Sequence, residues 1–162
     1  MNHYVQHYEE STIISATAGD VFAFADNHKN FSSHMNKSSW MMGGGSMKTE
    51  MDEGKGKKVG SHIKMSAKIF GLSLFLDEIV TLREPPVRKE WETVGVPHLL
   101  VIGNYKMGIS LKKTAEGTNL TVFIDYDLPS SFGGKLLGLL FGRMYAKWCV
   151  KQMIGGVKNE YA

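Results

Sequence analysis

Residues 129–159 read PSSFGGKLLGLLFGRMYAKWCVKQMIGGVKN, and this stretch predicts one long helix. At about 100° per residue, small side chains recur on one arc at every fourth position. They are Gly134, Gly138, Gly142 and Ala146. An adjoining arc carries the bulky apolar side chains Leu137, Phe141, Met144, Tyr145 and Trp148. The bulky arc predicts a helix with one broad face buried against the rest of the protein.

The glycines in this helix need a compensating interaction. Each costs about 1 kcal/mol relative to alanine in a helix interior. Close packing of the helix backbone on a sheet would offset that cost, and so would space for a ligand beside the helix; both explanations stay open. A membrane span needs about 20 consecutive apolar residues, but Lys135, Arg143 and Lys147 interrupt the stretch. The pattern therefore excludes a membrane-spanning helix.

The size and charge of the chain limit the classes of protein to consider. A length of 162 residues predicts one domain, residues 1–162, with a substantial core. The net charge is +3, and the lysines are scattered apart from Lys55, Lys57 and Lys58. We therefore expect no nucleic-acid partner. The small lysine cluster has no accompanying amphipathic helix, so membrane contact is expected to be at most peripheral.

Cysteine content and the first residues bear on the cellular compartment. Cys149 is the single cysteine, which excludes an internal disulfide and is compatible with a reducing compartment. It lies on the small-residue side of the predicted helix, where we expect it to fill the core. The opening residues MNHYVQ contain no apolar segment typical of a secretory signal. A cytoplasmic location is the expectation.

Apolar alternation and turn residues predict the order of elements along the chain. A first strand at 4–16 is followed by a short helix capped by Thr17, and by a second short helix or turn at 30–35. Six further strands are predicted at 40–50, 58–70, 72–83, 87–94, 98–113 and 118–128. The predicted fold class is α+β: a curved antiparallel sheet of about seven strands wrapped around the C-terminal helix, with two short helices after the first strand.

The last two strands show which side of the sheet is buried. One side of the first carries Tyr105, Met107, Ile109 and Leu111, and one side of the second carries Leu120, Val122, Ile124 and Tyr126. Polar residues occupy the intervening positions. Strands with period two have one buried and one solvated face, which is typical of an antiparallel sheet.

Four features of the chain occur together in one known family. The opening strand is followed by the residues AGDVF at 18–22. Glu84, Pro85 and Pro86 form a turn before a strand that contains Trp91, and Glu116, Gly117 and Thr118 form a hairpin loop. With the long terminal helix, these features resemble the START-like (SRPBCC) superfamily, in the polyketide cyclase/dehydrase and lipid transport group with the Bet v 1-like helix-grip fold. The resemblance covers nearly the whole chain.

The resemblance implies a cavity and a range of ligands. In this fold the long helix crosses the concave face of the sheet and encloses an apolar space. Members bind lipids, sterols, plant hormones, quinones and polyketides, and some catalyse cyclisation or dehydration of a polyketide. Gly19 stands where members often have Glu or Asp, which affects only the start of the first helix. No cyclase-specific site pattern is present, so no catalytic residue is assigned.

Aromatic and methionine side chains are the candidates for lining such a cavity. Tyr and Trp carry polar tips that need partners when buried, and Met adapts to irregular shapes. Ordinary core packing and a ligand-binding cavity remain equal alternatives for these residues. The candidate lining residues are Trp40, Met65, Trp91, Tyr105, Met107, Tyr126, Leu137, Phe141, Tyr145 and Trp148.

Other chemistry finds less support in the sequence. The pair His3 and His7 lacks the accompanying carboxylate of a metal motif, so neither a metal nor another cofactor is expected. Cys149 has no neighbouring base that would activate it as a nucleophile. The titratable candidates to inspect for an inward orientation are Asp77, Glu78, His62 and Lys89.

Three functional hypotheses follow. The first is binding or transport of a hydrophobic small molecule, such as a lipid, isoprenoid, quinone or polyketide-like compound, between the sheet and the C-terminal helix. The second is a polyketide cyclase or dehydrase that uses an inward-facing titratable group in the same cavity. The third is an interaction module, which a large exposed apolar patch would favour. The sequence predicts neither the ligand nor the oligomeric state.

Overall fold

A seven-stranded antiparallel sheet forms the framework of the computed structural model, which describes residues 3–31, 47–69 and 71–162. The strand order across the sheet is β1-β7-β6-β5-β4-β3-β2. The strands are β1 (Gln6–Ile14), β2 (Lys48–Met51), β3 (His62–Ile69), β4 (Leu72–Glu84), β5 (Arg88–His98), β6 (Tyr105–Thr114) and β7 (Gly117–Tyr126). The sheet wraps around the C-terminal helix, so the predicted helix-grip architecture is confirmed.

The predicted alternation in β6 and β7 is confirmed. Every residue expected on the inner face of these strands is buried, from Tyr105 to Leu111 in β6 and from Leu120 to Tyr126 in β7. Strand β7 also pairs with β1, in a register that runs from Gln6 opposite Tyr126 to Ile14 opposite Thr118. The first and last strands of the chain are thereby joined at one edge of the sheet.

Two short helices follow β1. Helix α1 (Ala18–Asp26) begins at the predicted cap, where the Thr17 hydroxyl oxygen accepts a hydrogen bond from the backbone N–H of Asp20. Helix α2 is His28–Phe31, earlier than the predicted segment 30–35. Residues 32–35 lie outside the described residues, as does most of the predicted strand 40–50, of which the structure describes β2 at its end.

The C-terminal helix comprises three consecutive segments. Helix α3 (Phe132–Leu137) leads into a π-helical turn (Gly138–Gly142) and then into helix α4 (Arg143–Glu160). Helix α4 packs on β1 and β7. Its buried side chains are small or aliphatic for most of its length: Ala146, Cys149, Val150, Met153, Ile154 and Val157. None of these segments, nor any other described helix, is long and apolar enough to cross a membrane.

The glycine row of this helix serves close packing. A Cβ atom at Gly138 would lie 2.9 Å from both the Val101 carbonyl oxygen and Leu128 Cδ2. At Gly142 it would lie 3.1 Å from the same carbonyl oxygen. Contacts this short with backbone leave no room for a side chain. At these two positions the structure therefore favours close approach over space for a ligand.

The prediction that the bulky arc of the helix is buried is wrong for its first half. Leu137, Phe141 and Met144 are 42%, 44% and 45% exposed. Their neighbours Gly138 and Gly142 are buried instead. The helix can approach the rest of the protein closely only along its small residues, and this orientation turns the bulky side chains outward.

The predicted boundary between the fifth and sixth strands is also wrong. Strand β5 continues to His98, which pairs with Phe75, and β6 starts only at Tyr105. Residues 99–104 connect the two strands and pass close to the C-terminal helix through the Val101 carbonyl. Ile102 in this connection is buried, which gave the segment a strand-like apolar pattern.

Candidate functional site

A small enclosed cavity lies between the sheet and helix α4. Strands β3 to β7, helix α2 and the 99–104 connection supply the rest of its walls. Its volume is about 30 Å³, whereas one water molecule needs about 10–15 Å³. A drug-sized ligand needs about 300 Å³ or more, so uptake of an organic molecule requires the walls to move apart.

Five of the predicted lining residues meet at this cavity. They are Met65, Trp91, Tyr105, Met107 and Tyr145. They come from three strands and the C-terminal helix, so only the folded sheet brings them together. The apolar walls, with three methionines among them, resemble the adaptable surface of a small-molecule site. Glu78, predicted from the sequence as a candidate inward-facing carboxyl, also lines the cavity. The lining residues that the sequence did not indicate are His28, Leu76, Leu99, Ile102, Ile124, Cys149 and Met153.

The other predicted lining residues lie elsewhere. Tyr126 is buried beside Gly142 but does not reach the cavity, and Trp148 is half-buried next to Tyr145. Leu137 and Phe141 are on the outer side of the helix, so their predicted inward orientation is incorrect. Trp40 lies outside the described residues.

Glu78 is the carboxyl group that the structure places at the cavity. Strand β4 alternates, so that Leu74, Leu76, Glu78 and Val80 all point inward. The Glu78 side chain is 2% exposed. The Tyr105 hydroxyl donates a hydrogen bond to Oε1 of Glu78. Oε2 has no hydrogen-bond partner among the described residues.

Burial controls the protonation of this carboxyl. Loss of solvation raises the pKa of Glu78 to about 7, and the negative charge of Asp77 adds to the rise. The side chains of Tyr105 and Trp91 oppose the shift, as does the positive charge of Lys89. A carboxyl with a pKa near neutrality exchanges protons readily at physiological pH, which is a property of acid-base groups.

Tyr145 and Cys149 form the second polar contact of the cavity. They lie one turn apart on α4, and the nearby Tyr145 side chain lowers the pKa of the Cys149 thiol, against the effect of burial. Burial raises the pKa of Cys149 to about 12 and the pKa of Tyr145 well above its ordinary value. The thiol therefore stays protonated, which agrees with the expectation that Cys149 is not a nucleophile.

The remaining titratable candidates point away from the cavity. Asp77 lies on the opposite face of β4 from Glu78, and its carboxylate accepts a hydrogen bond from His62 Nδ1 at 3.0 Å. Lys89 is buried, but its ammonium group donates to Oδ1 of Asp26 at 2.9 Å. Among the four candidates, only Glu78 thus faces the cavity.

Metal binding finds no support in the described part of the chain. No group of three or more His, Cys, Asp and Glu side chains there is arranged to hold a metal ion. His7, one member of the sequence pair, bonds instead to Asp125 on the outer face of the sheet at 2.5 Å.

The first half of the C-terminal helix presents an apolar outer surface. Its exposed large side chains are Phe132, Leu136, Leu137, Leu139, Leu140, Phe141 and Met144. A concentration of exposed apolar residues is typical of a surface that contacts another molecule. The interaction-module hypothesis therefore retains structural support.

Comparison with known proteins identifies the fold. The protein TTHA0849 from Thermus thermophilus has a TM-score of 0.68 and 14% identity, over 95% of both chains. The di-domain ARO/CYC BexL from the BE-7585A biosynthetic pathway gives 0.68 and 15%, over 96% of this chain and 50% of BexL. Major latex-like protein 151 from Panax ginseng gives 0.64 and 12%, over 99% of both chains. No family model and no curated protein sequence matches the chain.

These similarities define the class of structure. The chain has a helix-grip fold, which it shares with the major latex-like protein 151 and with the di-domain ARO/CYC BexL. Such low identities establish the fold and leave the activity to be argued from the site.

Proposed function

We propose that the chain is a ligand-binding domain that takes up a hydrophobic small molecule between the sheet and helix α4. The observation that carries the proposal is the enclosed apolar cavity at this position, with a single carboxyl group in its described wall. Burial of apolar ligand surface would supply the affinity, at about 25 cal/mol per Å².

The nature of the walls supports expansion of the cavity. Met65, Met107 and Met153 line it, and methionine side chains change rotamer at little cost. Leu99 and Ile102 belong to the connection between β5 and β6, whose backbone hydrogen bonds to Asp127 come from Gly103 and Asn104, next to β6. Displacement of this connection and rearrangement of the methionines would open the space that a ligand needs.

A titration with Nile red, a neutral apolar fluorophore, tests the proposal. We expect saturable binding, and at least a tenfold loss of affinity in Met107→Phe, because the ring fills the cavity. Met144→Phe is the matched control, since Met144 is exposed on the same protein. Native mass spectrometry of the purified protein would reveal a ligand that is retained during purification. Equal affinities in both variants, or no Nile red binding together with no retained ligand, would contradict the proposal.

A second candidate function is catalysis of polyketide cyclisation in the same cavity. Glu78 supports it, because an inward carboxyl with a pKa of about 7 can remove a proton from the carbon between two carbonyl groups. The name of BexL, ARO/CYC, denotes this kind of chemistry in a protein of the same fold. The test is the rate at which a synthetic poly-β-ketone cyclises with the wild-type protein and with Glu78→Gln. Equal rates would reject an enzymatic role for Glu78.

A further inference from the structure

The free oxygen of Glu78 is a buried acceptor that points to what the cavity binds. The side chain is 2% exposed, and Oε1 is already occupied by the Tyr105 hydroxyl. Oε2 accepts no hydrogen bond of normal geometry from the described residues, although the Trp91 side chain is close enough to lower the pKa of Glu78, and Glu78 lines the cavity. A buried polar atom without a hydrogen bond is costly, so a partner for Oε2 has to come from within the cavity.

We propose that the cavity selects uncharged apolar molecules that carry a hydroxyl group, and that this hydroxyl bonds to Oε2 of Glu78. The inference rests on the ligand-binding function proposed above and adds the chemical class of the ligand.

A hydroxyl group suits both protonation states of Glu78. An ionised carboxylate only accepts hydrogen bonds, whereas a neutral carboxyl also donates one. A hydroxyl both donates and accepts, so it can pair with either form. An ether accepts only, and it therefore leaves the ionised form unsatisfied. A site that hydrogen-bonds a ligand hydroxyl discriminates strongly against an analogue without it.

The charges around the cavity disfavour an anionic ligand. No Lys or Arg is among the described residues that line it. Lys89, whose charge acts on Glu78, has its ammonium group committed to Asp26. Tyr105, Tyr145 and Cys149 all have a pKa raised by burial and remain neutral. A ligand carboxylate would thus meet the carboxyl of Glu78 with no Lys or Arg in the described wall, where His28 is the one side chain able to carry a positive charge, and fatty acids are expected to bind weakly.

Three naphthalenes with the same ring system test the selectivity: β-naphthol, its methyl ether and β-naphthoate. Fluorescence titrations at about pH 8 keep Glu78 mostly ionised and naphthol neutral. We expect naphthol to bind at least tenfold more tightly than the methyl ether, and naphthoate to bind most weakly. An equal affinity for naphthol and its ether, or a preference for naphthoate, would overturn the inference.

Glu78→Gln tests whether Glu78 is the group responsible. With Tyr105 donating to the amide oxygen, the amide N–H₂ takes the place of Oε2 and presents donors to the cavity. The preference for naphthol over its ether should fall at least fivefold, and naphthoate should bind more tightly than it does to wild type. Asp77→Asn is the matched control, because it removes the adjacent carboxyl on the outer face of β4. If both variants keep the wild-type preference, the inference is wrong.

The Nile red titration separates this inference from the proposed function. Binding of Nile red with no preference among the naphthalenes would reject only the selectivity. Failure of Nile red and of all three naphthalenes to bind would reject both proposals.

Discussion

Asp26 and Glu78 are both buried carboxyl groups, but the protein compensates them for the loss of solvation to very different extents. Asp26 ends helix α1 and is 4% exposed, and Glu78 lies in β4 and is 2% exposed. Asp26 accepts hydrogen bonds from Lys89 Nζ at 2.9 Å and from Arg83 Nη2 at 2.8 Å. Glu78 accepts its hydrogen bond from an uncharged tyrosine hydroxyl, on one oxygen only. Both oxygens of the Asp26 carboxylate accept hydrogen bonds from cations. One oxygen of the Glu78 carboxyl has no partner among the described residues.

The pKa values of the two groups reflect this difference. Burial alone raises the pKa of Asp26, but hydrogen bonds from Arg83 and Lys89, together with their charges, outweigh burial and lower it. Burial dominates at Glu78 and raises its pKa to about 7. A carboxyl whose partners come from two strands fixes a helix to the sheet. A carboxyl with a free oxygen at a cavity is available to a ligand.

The largest expected effect is the loss of Lys89 from the Asp26 cluster. Lys89→Met leaves Asp26 buried with one partly exposed cation, and breaking a buried pair costs about 3 to 5 kcal/mol. We expect a loss of this size in the free energy of unfolding, measured by urea denaturation. Lys151→Met is the control, because Lys151 is 53% exposed and lies 3.9 Å from Glu10. Lys151→Met should lower the free energy of unfolding by less than about 1 kcal/mol. Equal losses in the two variants would show that the Lys89–Asp26 pair does not stabilise the fold.

The pH dependence of stability should have opposite signs at the two carboxyls. The pKa of Glu78 rises from 4.5 to about 7 on folding, so its contribution is full below pH 4.5 and is lost as pH rises to about 7. The loss amounts to about 3 kcal/mol. Asp26 has a lowered pKa, so its contribution is present above pH 3.8 and is lost on further acidification through the folded-state pKa.

Glu78→Gln isolates the first of these effects. The free energy of unfolding of wild type minus that of the variant should fall between pH 4.5 and 7 and be constant above this window. Other groups that titrate in this pH window contribute equally to both proteins, so their effects cancel in the difference. A flat difference across the window would show that Glu78 has an ordinary pKa.

The strands could be predicted from the sequence because apolar alternation is a pattern within each strand. Alternation from Tyr105 to Leu111 and from Leu120 to Tyr126 indicated the inner face of two strands, and the structure agrees. The sequence predicts the wrong orientation of the C-terminal helix, because Leu137 and Phe141 are more hydrophobic than the glycines that form its packed side. Which arc is buried depends on how closely the helix approaches Val101 and Leu128, which belong to segments outside the helix.

The candidate site was predicted less completely than the fold. The inward orientation of Glu78 was available from the alternation of Leu74, Leu76 and Val80 around it. Leu99 and Ile102 could not be found in this way, because the segment reads as part of a strand and closes the cavity only through the tertiary fold. Pairing of Asp26 with Lys89 spans 63 residues, and no local pattern signals it.

A smaller effect is expected from removal of the tyrosine hydroxyl that bonds to Glu78. Tyr105→Phe leaves the buried carboxyl short of a donor, at a cost of about 2 kcal/mol. The pKa of Glu78 should rise further, so the pH-dependent loss of stability should extend above pH 7. Thermal denaturation across pH would measure both changes. Tyr161→Phe is the control, since its hydroxyl donates to the Asp20 carbonyl at the surface; a pH profile displaced equally in both variants would contradict the assignment.

The smallest effect should come from Arg83, the second cation of Asp26. Its side chain is 28% exposed, so Arg83→Met should cost only about 1 kcal/mol while Lys89 remains. In the Lys89→Met variant, Arg83 is the remaining cation beside Asp26. Arg83→Met should then lower the free energy of unfolding by at least about 1 kcal/mol more than it does in the wild-type protein. A double-mutant cycle measures this coupling. Strict additivity would mean that the two cations stabilise Asp26 independently, each contributing its own part to the low pKa of the carboxyl.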